Sequence, residues 1–152
     1  MMKDTLIALF NRDLKVLFKE IESYSNEAIL WQRAEGISNP AGNLALHLVG
    51  NLNEFVGRQL GQIPYTRDRP LEFSATGIAK ANLLEMIENT RIIVEKSIKG
   101  LTVEQFFDDY PENVLGYKMS VSYFLIHLHG HLNYHLGQIN YHRRILNMVE
   151  KI

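Results

Sequence analysis

The sequence predicts an all-α fold, a four-helix bundle with short extra helices in the connections. Apolar residues recur at three- and four-residue steps over four long stretches, which is the spacing of one face of an α-helix. Glycine and proline separate these stretches, and no segment has the alternation and turn residues of a strand hairpin. Four long helices joined by turns bury their apolar faces against one another, so residues 1–152 are expected to form one domain.

The first two helices follow from this periodicity. The first covers about residues 3–24, and residues 25–33 add a short helical piece before a glycine- and proline-containing turn at 36–40. The second helix begins near Asn39 and Pro40, because asparagine is a good N-cap and proline fits the first turn. It runs to residue 60, where Gly61 ends it, and residues 61–74 form a linker that contains two prolines.

The third and fourth helices have clear ends as well. The third covers about residues 75–99 and ends at Gly100, where a glycine is favoured after the last helical residue. Thr102 and Gln105 have the spacing of a capping box, which predicts a brief helix through Phe107. Residues 108–116 form a loop, and the fourth helix covers about residues 120–148.

Composition narrows the class of protein. The formal net charge is −1 at pH 7 and the basic residues are scattered, which argues against a nucleic-acid partner. The chain has no cysteine, so disulfides and thiolate ligands are excluded and any metal site must use nitrogen and oxygen donors. Charged residues interrupt the apolar start of the chain and no long apolar window follows, so we expect a soluble, cytoplasmic protein that does not associate with a membrane.

Five of the six histidines lie in the fourth helix. His131 and His135 are four residues apart, so two imidazoles on one helical face can reach one ion. His127 and His142 fall on the same arc among apolar residues, whereas His129 lies on the opposite side. Imidazole binds Zn, Cu, Fe and Ni, and buried imidazoles need a partner, so a metal site is the leading hypothesis. The alternative is that these are packed or solvated histidines.

His47 is the remaining histidine. Its arc on the second helix carries Asn43, Asn51, Glu54 and Arg58, whereas the apolar residues face the other way. This pattern favours a solvent-facing His47. The alternative is that the polar arc lines an interior cleft in which an ion and a polar substrate lie.

Two motifs together resemble the DinB/YfiT-like proteins: Asn-Leu-Ala-Leu-His-Leu, which ends at Leu48, and His-Leu-Asn-Tyr-His-Leu-Gly-Gln, which begins at His131. The resemblance covers nearly the whole chain in length and helix order. It implies a metal-dependent four-helix bundle with an up-down-down-up course. It also implies that one histidine of helix two and two of helix four hold the metal, which here are His47, His131 and His135.

The resemblance also implies a function. Characterised relatives include transferases that act with low-molecular-weight thiols, hydrolases and isomerases. We therefore expect a divalent-metal-dependent hydrolase or thiol transferase that uses Zn, Ni or Fe, acts on a small molecule and forms a homodimer. Three histidines leave the ion an open coordination position for water or substrate. The alternative is a non-catalytic metal-binding or stress-associated bundle protein.

Four other residues are candidates for a functional role. Glu54 and Gln138 are candidates for a base or proton relay, but Glu54 is also placed to pair with Arg58 on the helix surface. Gly130 and Gly137 either admit a ligand or another helix closely, or only weaken the fourth helix.

Because Glu-x-x-His and His-Glu-x-x-His are both missing from the sequence, di-iron carboxylate bundles and zincin proteases are disfavoured.

Overall fold

The computed structural model describes residues 1–149 and is all-α, as predicted. In this range no strand forms, and only an isolated bridge joins Asp109 to Ser120. Two short 3₁₀ segments, Glu27–Trp31 and Glu104–Phe106, lie in the connections. The α-helices are α1 (Met2–Glu22), α2 (Ala41–Leu52), α3 (Arg69–Ser74), α4 (Lys80–Gly100) and α5 (Val121–Val149).

The four long helices pack around one core. Each of α1 and α2 packs against both α4 and α5. Large apolar side chains from all four helices are almost completely buried between them, among them Leu17, Leu48, Ile87 and Leu132. Burial of these side chains is the main favourable contribution to folding.

Contacts along the helices give their relative directions. Lys3, at the start of α1, donates hydrogen bonds to the carbonyls of Lys99 and Leu101 at the end of α4, so these two helices are antiparallel. Asp13 of α1 contacts His129 in the first half of α5. Because Asn140, further along α5, contacts Glu20 near the end of α1, α1 and α5 are parallel.

The second helix runs against the fifth. His47 contacts His131, whereas Phe55, further along the chain, contacts Phe124, nearer the start of α5. The direction of α2 is therefore opposite to that of α1 and α5. The α2–α4 connection, residues 59–79, accordingly runs back along the molecule and carries α3.

The end of α2 changes helical type. A π-helical segment, Asn53–Arg58, continues α2 toward the predicted end near residue 60. A Cβ atom at Gly57 would lie 2.7 Å from the Ile93 side chain, so glycine permits close packing of this segment on α4. Single π-helical turns of this kind are frequent at functional sites.

Two element boundaries differ from prediction. Residues 61–74 were expected to be a linker, but α3 forms there because the Asp68 side chain accepts a hydrogen bond from the Leu71 backbone N–H and Pro70 lies in the first turn. The third long helix begins at Lys80 rather than at 75, after Gly77 has turned the chain with φ of +70°. No helix in residues 1–149 is both long enough and apolar enough to cross a membrane.

Candidate metal centre

The structure places His47 in the interior. Its exposed fraction is 7%, and every residue of α2 is buried. The prediction that His47 faces solvent is wrong, because α3 covers this part of the arc. Asn43 on the same arc donates hydrogen bonds of 3.0 and 2.8 Å to the carbonyls of Glu72 and Ala75. Among the residues of this arc, His47 and Asn51 line an interior cavity, whereas Glu54 and Arg58 lie nearer the surface.

His47, His131 and His135 come together between α2 and α5. The Nε2 atom of His131 lies 3.2 Å from Nε2 of His47 and 3.1 Å from Nε2 of His135. One ligand atom from each of the three residues lies within 4.8 Å of the other two. The rings meet nearly at right angles, with interplanar angles of 80°, 90° and 89°.

The chemistry of these three nitrogens fits a metal ion. A neutral imidazole carries one N–H and one lone pair, so a single hydrogen on His131 Nε2 cannot satisfy both neighbouring nitrogens at full strength. One cation between the rings would accept all three lone pairs. Three neutral imidazoles from two helices form the donor set of a divalent ion that keeps an open position.

His135 is held by a partner on its own helix. Its Nδ1 lies 2.7 Å from Oε1 of Gln138, so Nδ1 donates and the lone pair of Nε2 points toward the other two histidines. Gln138, a candidate proton relay in the sequence, is therefore placed to orient the imidazole of His135. Such partners usually fix the tautomer of a metal-binding histidine.

His47 is held by a buried ion pair. Its Nδ1 lies 3.5 Å from Oε1 of Glu72 and 3.4 Å from Nη2 of Arg67. Arg67 also donates to Glu72 through Nη2 at 2.7 Å and Nε at 3.1 Å. Glu72 accepts a hydrogen bond, so contact with it favours the tautomer of His47 that carries its hydrogen on Nδ1. Arg67 only donates, so contact with it favours the tautomer that carries the hydrogen on Nε2. Only the first tautomer leaves the lone pair of Nε2 free for an ion. An ion held at Nε2 would require the Glu72 partnership, in which carboxylate, histidine and metal form a recurring triad.

Glu72 is charged in this environment. Burial alone raises the pKa of its carboxyl, but hydrogen bonds from His47 and Arg67 and the charge of Arg67 outweigh burial and lower the pKa. Glu72 was not among the predicted site residues, because residues 61–74 were expected to form a linker. The capping signals at Asp68 and Pro70 could have revealed the short helix, though not the direction of the Glu72 side chain.

His131 and His135 are neutral at neutral pH. Burial, together with the nearby His135 and His47, lowers the pKa of His131 to about 4. Burial also lowers the pKa of His135, against a smaller opposing effect of the hydrogen bond with Gln138. Neutral imidazole is the form that binds a metal, so these two groups need lose no proton at pH 7.

The other three histidines do not join the cluster. His127 is exposed and stacks beside Phe124, with ring centroids 5.8 Å apart. The Nε2 atom of His129 lies 2.7 Å from the Asp13 carboxylate of α1. His142 is buried, and its two ring nitrogens contact the Tyr24 hydroxyl at 2.7 Å and the Gln32 carbonyl at 2.8 Å.

The remaining candidates have other environments. Glu54 pairs with Arg58, which is the surface alternative considered for it. A Cβ atom added at Gly130 or Gly137 would meet nothing within 4 Å, so no other part of residues 1–149 approaches these glycines closely.

Two cavities flank the three histidines. The first, of about 710 Å³, is named the His135-side cavity and has no charged lining residue among those described; it is lined by Gly36, Ile37, Ser38, Asn39, Leu44, Tyr134, His135, Gly137, Gln138, Tyr141 and His142. The second, of about 430 Å³, is named the Arg69-side cavity; it is lined by His47, Asn51, Phe55, Arg67, Arg69, Val114, Leu115, Phe124, His127, Leu128 and His131. An ion between the three histidines is thus close to both cavities.

Two buried polar atoms near the cluster lack a hydrogen-bond partner within the described residues. They are Nδ1 of His131 and Oδ1 of Asn51, and both residues line the Arg69-side cavity. Leaving a buried polar atom without a partner costs about 1–3 kcal/mol of folding free energy. Such an atom in a native protein therefore requires an explanation, and a bound ion or a catalytic role is one.

Comparison with protein-family models found no matching family, and comparison with curated proteins found no similar sequence. The geometry of the three histidines is therefore the basis for assigning a function.

Proposed function

We propose that this protein is a divalent-metal-dependent enzyme with a DinB-like four-helix bundle, in which His47, His131 and His135 hold a Zn, Ni or Fe ion. The observation that carries the proposal is the convergence of three Nε2 atoms from α2 and α5, with the two contacts of 3.2 and 3.1 Å. The helix directions deduced above agree with the up-down-down-up course that the resemblance implies.

The residues around the cluster support a reactive rather than a purely structural site. Structural zinc sites are usually closed by four protein ligands, whereas three ligands leave a position for water or substrate. Gln138 and Glu72 orient two of the three imidazoles, and both flanking cavities give a substrate access to them. When bound, a divalent ion supplies positive charge that lowers the pKa of a coordinated water or thiol.

Of the two reactions considered, the surroundings favour thiol transfer over hydrolysis. No carboxylate lines either cavity within the described residues, and the nearby Glu72 and Glu54 are paired with arginines. A coordinated thiol loses its proton without help from a protein base. In the transfer, the sulfur forms a bond to an electrophilic carbon, the leaving group departs with its electron pair, and the thiol proton passes to solvent.

The same paired carboxylates also fit a second candidate, a non-catalytic metal-binding or stress-associated protein. Such a protein would bind the ion through the same three histidines but would not turn over a thiol and an electrophile. Catalysis therefore has to be tested separately from metal binding.

The first experiment measures metal binding. Purified protein is titrated with Zn²⁺, Ni²⁺ and Co²⁺, and we expect one ion per chain. Each of His47→Ala, His131→Ala and His135→Ala is expected to weaken binding at least about 100-fold, because three donors become two. His127→Ala is the matched control, since His127 lies one helical turn before His131 and is exposed. Substoichiometric metal that His135→Ala leaves unchanged would contradict the proposal.

The second experiment measures turnover. The metal-loaded protein is assayed for transfer of a low-molecular-weight thiol to an electrophile and for ester hydrolysis, with His131→Ala as the control. Thiol transfer that His131→Ala abolishes supports the enzyme. Stoichiometric metal without either activity favours the non-catalytic candidate.

A further inference from the structure

The Arg69-side cavity adjoins two of the three histidines. Both His47 and His131 line it, so a molecule inside it lies next to an ion held by them. Its volume of about 430 Å³ is in the range of cavities that hold small molecules, about 300–1,000 Å³. The chemistry of its walls therefore indicates what kind of molecule it accepts.

The charge of this cavity is positive and uncompensated. Three neutral imidazoles add no negative charge to a divalent ion, so the ion would keep its full charge of two. Arg67 is neutralised by Glu72, but Arg69 has no carboxylate partner in residues 1–149, and its guanidinium lies over the Phe73 ring. No acidic side chain lines the cavity in the same range. An anion would have to come from a bound molecule.

The cavity also contains a buried amide that lacks a partner. Asn51 lies one helical turn after His47 and is 7% exposed. Its Oδ1 atom has no hydrogen-bond partner, and its Nδ2 atom donates to no described residue. The Nδ2 group can donate to a carboxylate, whereas Oδ1 can only accept and needs an N–H or O–H donor; buried polar groups in native proteins are usually paired. Asn51 is therefore a second and independent indication of a polar ligand.

The rest of the wall is apolar. Phe55 and Phe124 meet edge to face with ring centroids 5.4 Å apart, and Leu115 and Leu128 lie beside them. Covering these side chains with the carbon atoms of a ligand is favourable, because it removes apolar surface from water, whereas a fully hydrated ion leaves that surface wet. A free inorganic anion would leave this surface uncovered.

The His135-side cavity has a different character. No charged side chain among the described residues lines it, and Tyr134, Tyr141 and Gln138 supply its polar groups. Nothing there favours an anion over a neutral molecule. Because the described residues place positive charge only in the Arg69-side cavity, an anionic group is expected there rather than in the His135-side cavity.

We infer that the Arg69-side cavity binds a small organic carboxylate with an apolar body, recognised by Arg69 and the Asn51 amide and placed beside the three histidines. This inference rests on the proposed function, since the ion contributes part of the positive charge. It adds the substrate class: one reactant of this site is an organic carboxylate rather than a neutral molecule.

The test uses the chain of residues 1–152 loaded with Co²⁺ and three probes: hexanoate, 1-hexanol and inorganic phosphate. Hexanoate has the charge and the apolar body, 1-hexanol has only the body and phosphate has only the charge. Binding is measured by calorimetry and by the visible spectrum of Co²⁺. We expect hexanoate to bind at least about tenfold more tightly than either other probe, because only hexanoate has both features.

Two pairs of variants assign the recognition. Arg69→Gln is expected to weaken hexanoate binding at least about fivefold, because it removes a positive charge. The affinities for 1-hexanol and Co²⁺ should be unchanged, because Arg69 is not a metal ligand. Arg144→Gln is the matched control, since Arg144 is also exposed and lies over an aromatic ring, that of Tyr141, but lines neither cavity. Asn51→Leu is expected to weaken hexanoate, and Asn51→Gln, which keeps the amide, to retain part of the affinity.

The outcomes separate this inference from the proposed function. Normal Co²⁺ uptake with no preference for hexanoate over 1-hexanol overturns the inference alone, as does an Arg69→Gln effect no larger than that of Arg144→Gln. Phosphate that binds as tightly as hexanoate overturns the organic class. Failure of the protein to bind Co²⁺ through the three histidines removes the proposed function and this inference together.

Discussion

The Nε2 atom of His47 lies 3.2 Å from the Nε2 atom of His131, although 84 residues separate them in the chain. His47 lies in α2 and His131 in α5, so the contact joins two helices of the core rather than two turns of one helix. An ion at this contact would bind both helices, so metal binding and folding stability should be coupled.

The first prediction concerns thermal stability. A ligand that binds only the folded state stabilises it by about 2.7 kcal/mol at 100 times its dissociation constant. We therefore expect saturating Zn²⁺ to raise the melting temperature of the wild-type protein by several degrees, as measured by circular dichroism. His131→Ala should abolish the increase and His127→Ala should retain it. Equal increases in all three proteins would mean that the ion binds elsewhere.

The second prediction concerns the buried Arg67–Glu72 pair. Glu72→Gln should weaken metal binding about 10- to 100-fold, because it removes the carboxylate that orients His47. It should also lower the free energy of unfolding by about 3–5 kcal/mol, since Arg67 would remain buried without a counter-charge. The measurements are metal titration and urea unfolding.

Glu54→Gln provides the comparison for that variant. Glu54 also pairs with an arginine, Arg58, but the Arg58 side chain is 39% exposed, whereas that of Arg67 is 13% exposed. We expect a loss of at most about 1 kcal/mol and unchanged metal affinity. Equal effects of the two substitutions on metal affinity would contradict the role of Glu72.

The third prediction concerns pH. Burial raises the pKa of the Asp13 carboxyl, but hydrogen bonds from Arg12, Asn133 and His129 outweigh burial and hold the pKa at about 2. In the unfolded chain its pKa is about 3.9. The folded state thus gains about 2 kcal/mol above pH 4, and this gain is lost as the pH falls from about 4 to about 2. Asp13→Asn should remove this part of the pH dependence in urea unfolding, and parallel profiles for the two proteins would refute it.

The fourth prediction compares two glycines. A Cβ atom at Gly130 would meet nothing within 4 Å, so Gly130→Ala should stabilise α5 by about 1 kcal/mol. A Cβ atom at Gly50 would lie 2.6 Å from Oε1 of Glu72, so Gly50→Ala should displace the carboxylate and weaken metal binding. Urea unfolding and metal titration measure both effects. A loss of stability in Gly130→Ala would mean that another chain packs on this face, as the predicted homodimer could.

The sequence was sufficient for the four long helices and for two of the three histidines of the site. His131 and His135 could be paired because helix geometry alone brings residues four apart to one face. Their convergence with His47 was expected only from the family resemblance. The helical wheel placed His47 on a polar arc, and a wheel cannot distinguish an arc facing solvent from one covered by another segment.

The parts that the sequence did not reveal depend on non-local contacts. Residues Arg69–Ser74 form a helix too short to show periodicity, and it is this helix that covers His47 and brings Glu72 to its ring. The roles of Asp13 and His142 likewise depend on partners more than 100 residues away. Spacing along one helix contains no information on such pairs.

Anomalous X-ray diffraction from Co²⁺-loaded crystals, recorded on both sides of the cobalt absorption edge, would locate the bound ion among the side chains. We predict one anomalous peak per chain, about 2.0–2.1 Å from the Nε2 atoms of His47, His131 and His135. A peak at another histidine, or no peak among these three side chains at full Co²⁺ loading, would contradict the account.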